Sequence, residues 1–163
     1  MTARMRAAII TISTSKAAGI GEDESGARLA ELAVRMGAEI AGREVITDDR
    51  ATIEARLRHW VEVERCPLVL TTGGTGLAPS DVTPEATRAV IDREAPGIAE
   101  AMRAASRPHT RNWMLSRGIA GASGASLIVN FPGSPRSIEQ AGEALIDALP
   151  HALELLAGRH PRH

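Results

Sequence analysis

Four short apolar runs, at 7–12, 39–46, 67–72 and 126–131, most limit what this chain can fold into. Each is too short for a core helix, and each gives way to polar or glycine-rich residues. The first, third and fourth are rich in aliphatic and β-branched residues, the pattern of strands covered on both faces. The second is weaker, being interrupted by Gly42. Between the runs lie stretches of helical period. Leu29, Leu32, Ala33 and Met36 share one face, as do Ile53, Leu57, Trp60 and Val61, and then Ile138, Ala141, Leu145, Leu149 and Leu156. Strands alternating with helices predict an α/β fold of three layers, a mostly parallel sheet with helices on both faces and right-handed crossovers. At 163 residues, positions 1–163 are expected to form one domain.

Local signals refine the boundaries. Asp49 is a suitable N-cap, and Thr83-Pro84 and Ser134-Pro135 each pair a capping hydroxyl with a proline suited to a first helical position. Gly37 closes the first helix. Pro96-Gly97 divides the helical stretch after position 84, and its second part runs from 98 to about 106, where Arg107-Pro108 ends it. Residues 112–118 are ambiguous in period, and 121–124 read as a flexible turn. Pro150 predicts a kink in the last helix. Residues 159–163 read as a frayed tail. Residues 13–26 form a long polar loop, open to two readings: a surface connection or a ligand-contacting segment.

The third run leads into the most informative stretch. Gly73, Gly74 and Gly76 can adopt positive φ and let successive backbone N–H groups approach an anion, while Thr75 adds a hydroxyl donor. Asp81 follows just before the helix that starts near Thr83. The spacing is that of neither a Walker loop nor a dinucleotide fingerprint, so the glycines alone also fit a tight turn leaving a buried strand. The other runs supply the context. Ser13 follows the first strand, Asp48 the second, and Asn130 with Gly133 the fourth, so all gather with the glycine loop at the carboxyl edge of one sheet, where open α/β sheets bind ligands. Two carboxylates beside an anion cradle suit a divalent metal held together with substrate phosphates, and phosphoryl or nucleotidyl transfer is the matching reaction class. Taken singly, Asp48 also reads as an extra capping carboxylate and Asp81 as a charge favouring the next helix dipole.

Composition narrows the partner. Nineteen Lys+Arg against twenty Asp+Glu, with no basic block, leaves no electrostatic footprint for nucleic acid or an anionic membrane. Trp60, Trp113 and Phe131 are the three aromatic residues, too few for a stacking platform for single strands. Cys66, the single cysteine, excludes an internal disulfide and multi-cysteine metal sites. With no signal-peptide pattern and no stretch of ~20 apolar residues, a cytoplasmic location is expected.

The motifs 71–76 (TTGGTG), 81–86 (DVTPEA), 114–117 (MLSR) and 130–133 (NFPG) together resemble the MogA/MoaB molybdenum cofactor biosynthesis family, including the G domains of its plant members and of animal gephyrin. The resemblance implies a molybdopterin adenylyltransferase that uses magnesium and ATP to form adenylyl-molybdopterin and pyrophosphate. It also implies a homotrimer and is consistent with a molybdenum-insertion protein as partner. By this similarity Asp48 and Asp81 are the catalytic, magnesium-handling pair, although Thr47 stands where the family has proline. The glycine loop, Ser13, Ser106, Ser116, Arg117, Asn130, Pro132 and Gly133 would line the nucleotide and pterin pocket. Arg117 and Lys16 supply cationic donors for a terminal phosphate. Many relatives carry Ser-Asp after the first strand. Here the pair is Ser13-Thr14, so any role of that acidic residue is absent or passes to Asp23 or Glu24. The alternative function is a MoaB-like molybdopterin-binding protein without adenylyl transfer, and a third reading is a generic nucleotide-dependent phosphotransferase.

Overall fold

A computed structural model describes residues 4–160. In chain order the elements are β1 (Arg6–Ile12), α1 (Thr14–Ala17), α2 (Glu24–Arg35), β2 (Glu39–Ile46), α3 (Arg50–Arg58), β3 (Leu68–Thr72), α4 (Thr83–Val90), β4 (Arg93–Glu94), α5 (Pro96–Ser106), β5 (Ala120–Ser123), β6 (Ser126–Phe131), α6 (Pro135–Leu145) and α7 (Ala148–Leu156). A π-helical turn, His59–Val63, extends α3, and a 3₁₀ turn, Trp113–Leu115, lies between α5 and β5.

The sheet order is β2-β1-β3-β6-β5-β4. The four strands expected from the apolar runs pair in parallel, from β2 through β6, and β5 and β4 extend that sheet antiparallel. Period-2 alternation divides the buried residues between two faces. Ala7 and Ile9 of β1, with Leu68, Leu70, Val129 and Phe131, meet α2, α5, α6 and α7 on one side. Ala8, Ile10 and Ile12, with Val69 and Ile128, meet Ile53, Leu57 and Trp60 of the α3 segment and Ala86 and Val90 of α4 on the other. Full burial of each large aliphatic side chain contributes about 1.5–3 kcal/mol, so the three-layer arrangement is what makes both strand faces profitable. Gly42, which weakens the second run on paper, leaves room for the Trp60 ring against β2.

Several expectations need correction. Residues 120–123 are a strand rather than a flexible turn, and β4 went unseen. Gly121 is required there because a Cβ would come 2.6 Å from the Arg93 carbonyl oxygen, so the residues that read as a turn are small to let β4 approach. The turn lies at Gly124, whose N–H donates to Asp92 Oδ2 at 2.7 Å. Thr83 is not an N-cap: Val82 holds that position and Thr83 begins α4. The break between the last two helices falls at 146–147, before Pro150, which sits in the first turn of α7 where its missing N–H costs nothing. Helix α2 starts at Glu24, capped by Asp23, and α1 occupies part of the expected 13–26 loop. The tail read at 159–163 lies partly outside the described residues; Arg159 N–H still donates to Glu154 O. Asp49 and Ser134 cap α3 and α6 as their sequence context suggested.

Candidate functional site at the carboxyl edge

The parallel strands aim their carboxyl ends at one crevice. After β1 the chain turns outward to β2, while β3 leads away toward β6, so the β1/β3 boundary is a topological switch point. The glycine loop leaves β3 at that boundary. Gly73 and Gly74 have φ of 97° and 66°, a region closed to most L-residues. A Cβ at Gly73 would collide with the Ile12 carbonyl, and one at Gly74 would collide with Thr83 Oγ1 and come 3.2 Å from Asp48 Oδ1. The Thr83 hydroxyl, which does not cap α4, instead donates to Gly73 O at 3.0 Å, and Thr83 N–H donates to Gly74 O at 3.2 Å. Thus the loop and the helix that follows it are locked together.

Asp48 and Asp81 flank this loop, one at each end. Asp48 Oδ2 accepts from the Thr14 N–H at 3.0 Å and the Thr14 hydroxyl at 3.1 Å, and Thr14 Oγ1 accepts from Asp48 N–H at 3.1 Å. Thr14 therefore clamps Asp48, a role the sequence reading missed. Asp23 is engaged elsewhere. It caps α2 through Gly26 N–H, accepts from the Thr11 hydroxyl at 2.9 Å and pairs with Arg43. Neighbouring Asp49 accepts from the Thr52 hydroxyl and N–H, which lowers its carboxyl below the usual range. At the loop's other end, Asp81 Oδ2 accepts from Ala78 N–H at 3.0 Å, and a Cβ on Gly76 would come 2.8 Å from that oxygen.

Arg117 braces the loop from the side. Its Nε–H donates to Gly76 O, its Nη2–H to Asp81 O and its Nη1–H to Glu85 Oε1, at 2.7–2.9 Å, while its N–H donates to Thr75 O. The other Glu85 oxygen is buried without a hydrogen-bond partner. Asn130 is likewise spent on the fold: its Nδ2 donates to the Thr71 and Thr87 hydroxyls, and its Oδ1 accepts from Ile119 N–H. These side chains position the site through the loop and the strands.

Two cavities open along the edge. One, of about 390 Å³, is lined by Ser13, Lys16, Thr72, Gly73 and Gly133, together with the acidic 22–24 segment. The other, of about 210 Å³, is lined by Ser106, Trp113, Ser116, Asn130 and Pro132. Pro132 and Gly133 form the ridge between them, tied to β3 by the Thr72 hydroxyl donating to Pro132 O at 2.7 Å. Of the candidate residues, Ser13, Gly73 and Gly133 fall to the first cavity and Ser106, Ser116, Asn130 and Pro132 to the second, while Asp48, Gly74, Thr75, Gly76, Asp81 and Arg117 line neither. Trp113 completes the smaller cavity and was not singled out from sequence. Cys66 is buried far from this edge, at the amino end of β3, where desolvation pushes its thiol up.

Comparison with known proteins agrees with this architecture. Residues 8–151 match the family described as "Probable molybdopterin binding domain". The chain is 37% identical over 154 residues to the molybdopterin adenylyltransferase of Helicobacter pylori strain 26695, covering 93% of this chain and 88% of that protein. It is also 37% identical to the molybdenum cofactor synthesis protein cinnamon of Drosophila melanogaster, of which it spans 25% of the length. The crystal structure of the molybdopterin biosynthesis enzyme MoaB from Thermus thermophilus superimposes with a TM-score of 0.89 at 42% identity, covering 95% of this chain and 98% of that one. With a family match over nearly the whole sheet and its layers, the chain belongs to the MogA/MoaB family of molybdopterin-binding domains.

Proposed function

We propose that this protein is a molybdopterin adenylyltransferase: a phosphate oxygen of molybdopterin attacks the α-phosphorus of ATP, the Pα–O bond to the β-phosphate breaks, and pyrophosphate leaves. The observation that carries this reading is the pair of carboxylates bracketing one glycine loop, Asp48 beside Gly74 and Asp81 beside Gly76. Relatives named as adenylyltransferases, 36–37% identical over most of the chain, support it.

Magnesium suits these residues. Asp48 and Asp81 each engage one carboxylate oxygen with a protein donor and keep the other for a hard cation. An ion held by these two carboxylates would take its remaining ligands from phosphates and water. Bound there, magnesium would neutralise charge on the triphosphate and the departing pyrophosphate. The protein's own part is positional. Glycine-loop amides hold the phosphate chain, Thr14 and the Ala78 turn aim the two carboxylates, and Arg117 keeps the loop closed against α4. The Lys16 ammonium has no hydrogen bond or ion pair among the described residues and lines the larger cavity, so it is the cationic donor for a terminal phosphate.

The reading extends to a homotrimer, to a molybdenum-insertion protein as a partner and to a cytoplasmic location. Separately, no helix among the described residues is long and apolar enough to cross a membrane. A MoaB-like pterin-binding role without adenylyl transfer is the second reading, raised by the 42% identity to a structure that bears the MoaB name. Incubation with molybdopterin, magnesium and ATP labelled at the α-phosphate separates the two. Label on the pterin, stoichiometric with pyrophosphate, is expected; pterin binding without label transfer would establish the second reading. Light scattering at micromolar concentration tests the trimer, and a monomer would remove it.

A further inference from the structure

Trp113 is the one aromatic side chain that the cores do not account for. Phe131 is fully buried in one core, and Trp60 is buried in the other with its indole N–H donating to Glu44 Oε1 at 2.8 Å. Trp113 belongs to neither core. It stands half-buried in the 3₁₀ turn after α5, and its indole N–H makes no hydrogen bond among the described residues.

The ring borders two spaces. On one side is the cavity of about 210 Å³ with Ser106, Ser116 and Asn130, and on the other an outer basin formed by residues 107–111. Arg107 lines the basin and not the cavity, and its guanidinium carbon lies over the ring, 5.7 Å from the centroid, within range of a cation–π contact. The cation is therefore on the basin side, and the indole forms a partition whose other surface bounds the cavity. Arg103 fixes the cavity's far wall, its Nη1 donating to Ser116 O at 3.2 Å and Gly118 O at 3.0 Å. A half-buried indole with no hydrogen-bonding duty, steadied from outside and facing a small cavity with polar groups on its rim, is built to receive a flat ring.

We propose that Trp113 is a specificity-determining residue: the planar nitrogen heterocycle of a substrate stacks on its cavity-facing surface while Arg107 holds the indole from the basin. This rests on the adenylyl-transfer reading, under which two such heterocycles, an adenine and a pterin, must enter the site. Stacking is the shared chemistry, and the substrate that quenches the indole identifies which ring takes the place.

Trp60 and Trp113 are the only tryptophans and the chain has no tyrosine, so the test can be spectroscopic. Intrinsic fluorescence of the full chain is titrated with Mg-ATP in one arm and molybdopterin in the other, alongside W113F, W113L and W113A. Equilibrium dialysis measures binding of both compounds independently. Subtracting the W113F signal isolates Trp113 without disturbing the buried Trp60. We expect saturable quenching of the Trp113 component by one of the two. Affinity for that compound should be about 10-fold weaker in W113A and W113L and largely kept in W113F, since a flat ring rather than apolar bulk is what counts. R107A should weaken it by a smaller factor. Quenching by Mg-ATP places the adenine on Trp113, and quenching by molybdopterin places the pterin. If both compounds bind in dialysis while the Trp113 emission is unmoved, or if W113L binds as W113F does, the stacking proposal fails and the adenylyl-transfer reading stands. If neither compound binds, both fail.

Discussion

Asp48 and Asp81 border the same loop, but they are held in place by different means. Asp48 depends on long-range assembly: its partner Thr14 is 34 residues away, and the two meet only once β1 and β2 are side by side. Asp81 depends on a local turn, its carboxylate accepting from Ala78 N–H three residues back while its own N–H donates to Ala78 O at 2.9 Å. One carboxylate reports on the sheet and the other on the loop. A perturbation of strand pairing should therefore reach Asp48 first, and a change at the Gly76 end of the loop should reach Asp81 first.

The largest expected effect tests whether the two acids are equal partners. Asp48→Asn and Asp81→Asn should each lower kcat by about 10²–10³-fold, as losing a preorganised charge at a reacting phosphate does, with Tm nearly unchanged. A loss confined to one of them, measured by label transfer, would show that the other is only a structural carboxylate. Gly74→Ala comes next. Backbone strain and the collision with Thr83 should cost roughly 1–3 kcal/mol or more, seen as a Tm lower by several degrees, together with loss of activity. A wild-type Tm would mean that the loop can relax away from α4.

Thr14→Val sharpens the comparison itself. It keeps the shape of the side chain and removes the hydroxyl, leaving the Asp48 carboxylate with the Thr14 N–H alone. We expect about a 10-fold fall in kcat, with KM for molybdopterin within about 2-fold, from looser aim of a catalytic group. Unchanged kcat would show that the backbone contact suffices. Ala78→Pro is the corresponding change at Asp81, removing the N–H donor, and should give a fall of similar or smaller size.

The smallest effect concerns pH. The Asp49 cap has its carboxyl held below the ordinary value of 3.8 by the Thr52 hydroxyl and N–H. A depressed folded-state value stabilises the protein above the unfolded pKa, and that stability is lost as pH falls through the folded value. Asp49→Asn should therefore flatten the Tm–pH profile slightly below about pH 4 and leave it unchanged near neutrality. An identical acid limb in both proteins would show that the cap is energetically silent.

The parallel part of this molecule was legible because its signals are local and redundant. Ala7, Ile9, Val69 and Ile128 fall in apolar runs bounded by turn residues, and the Asp49 and Ser134 caps are set within a few residues. The antiparallel edge was not legible. β5 is built from Ala120, Gly121, Ala122 and Ser123, residues chosen for smallness beside β4, and nothing within the segment itself tells a strand from a turn. The candidate site divides in the same way. Gathering Ser13, Asp48, the glycine loop and Gly133 at one edge needed only strand order and chain direction. The duties of Asn130 and Arg117 rest on pairings such as Asn130 with Thr71 and Arg117 with Glu85, 59 and 32 residues apart; the motifs contain these residues but not which meets which, and the Thr14 clamp on Asp48 is equally non-local.

Lys16 carries the only lysine side chain of the sequence, every other basic side chain of the Lys/Arg type being arginine, and it lines the larger cavity. An acylating or reductive-amination reagent that ignores guanidinium groups will therefore mark a single side chain, at the site itself. The protein carries a built-in address tag: the rate at which that amine is consumed, with and without each substrate, reads occupancy of the cavity directly, with no engineered reporter.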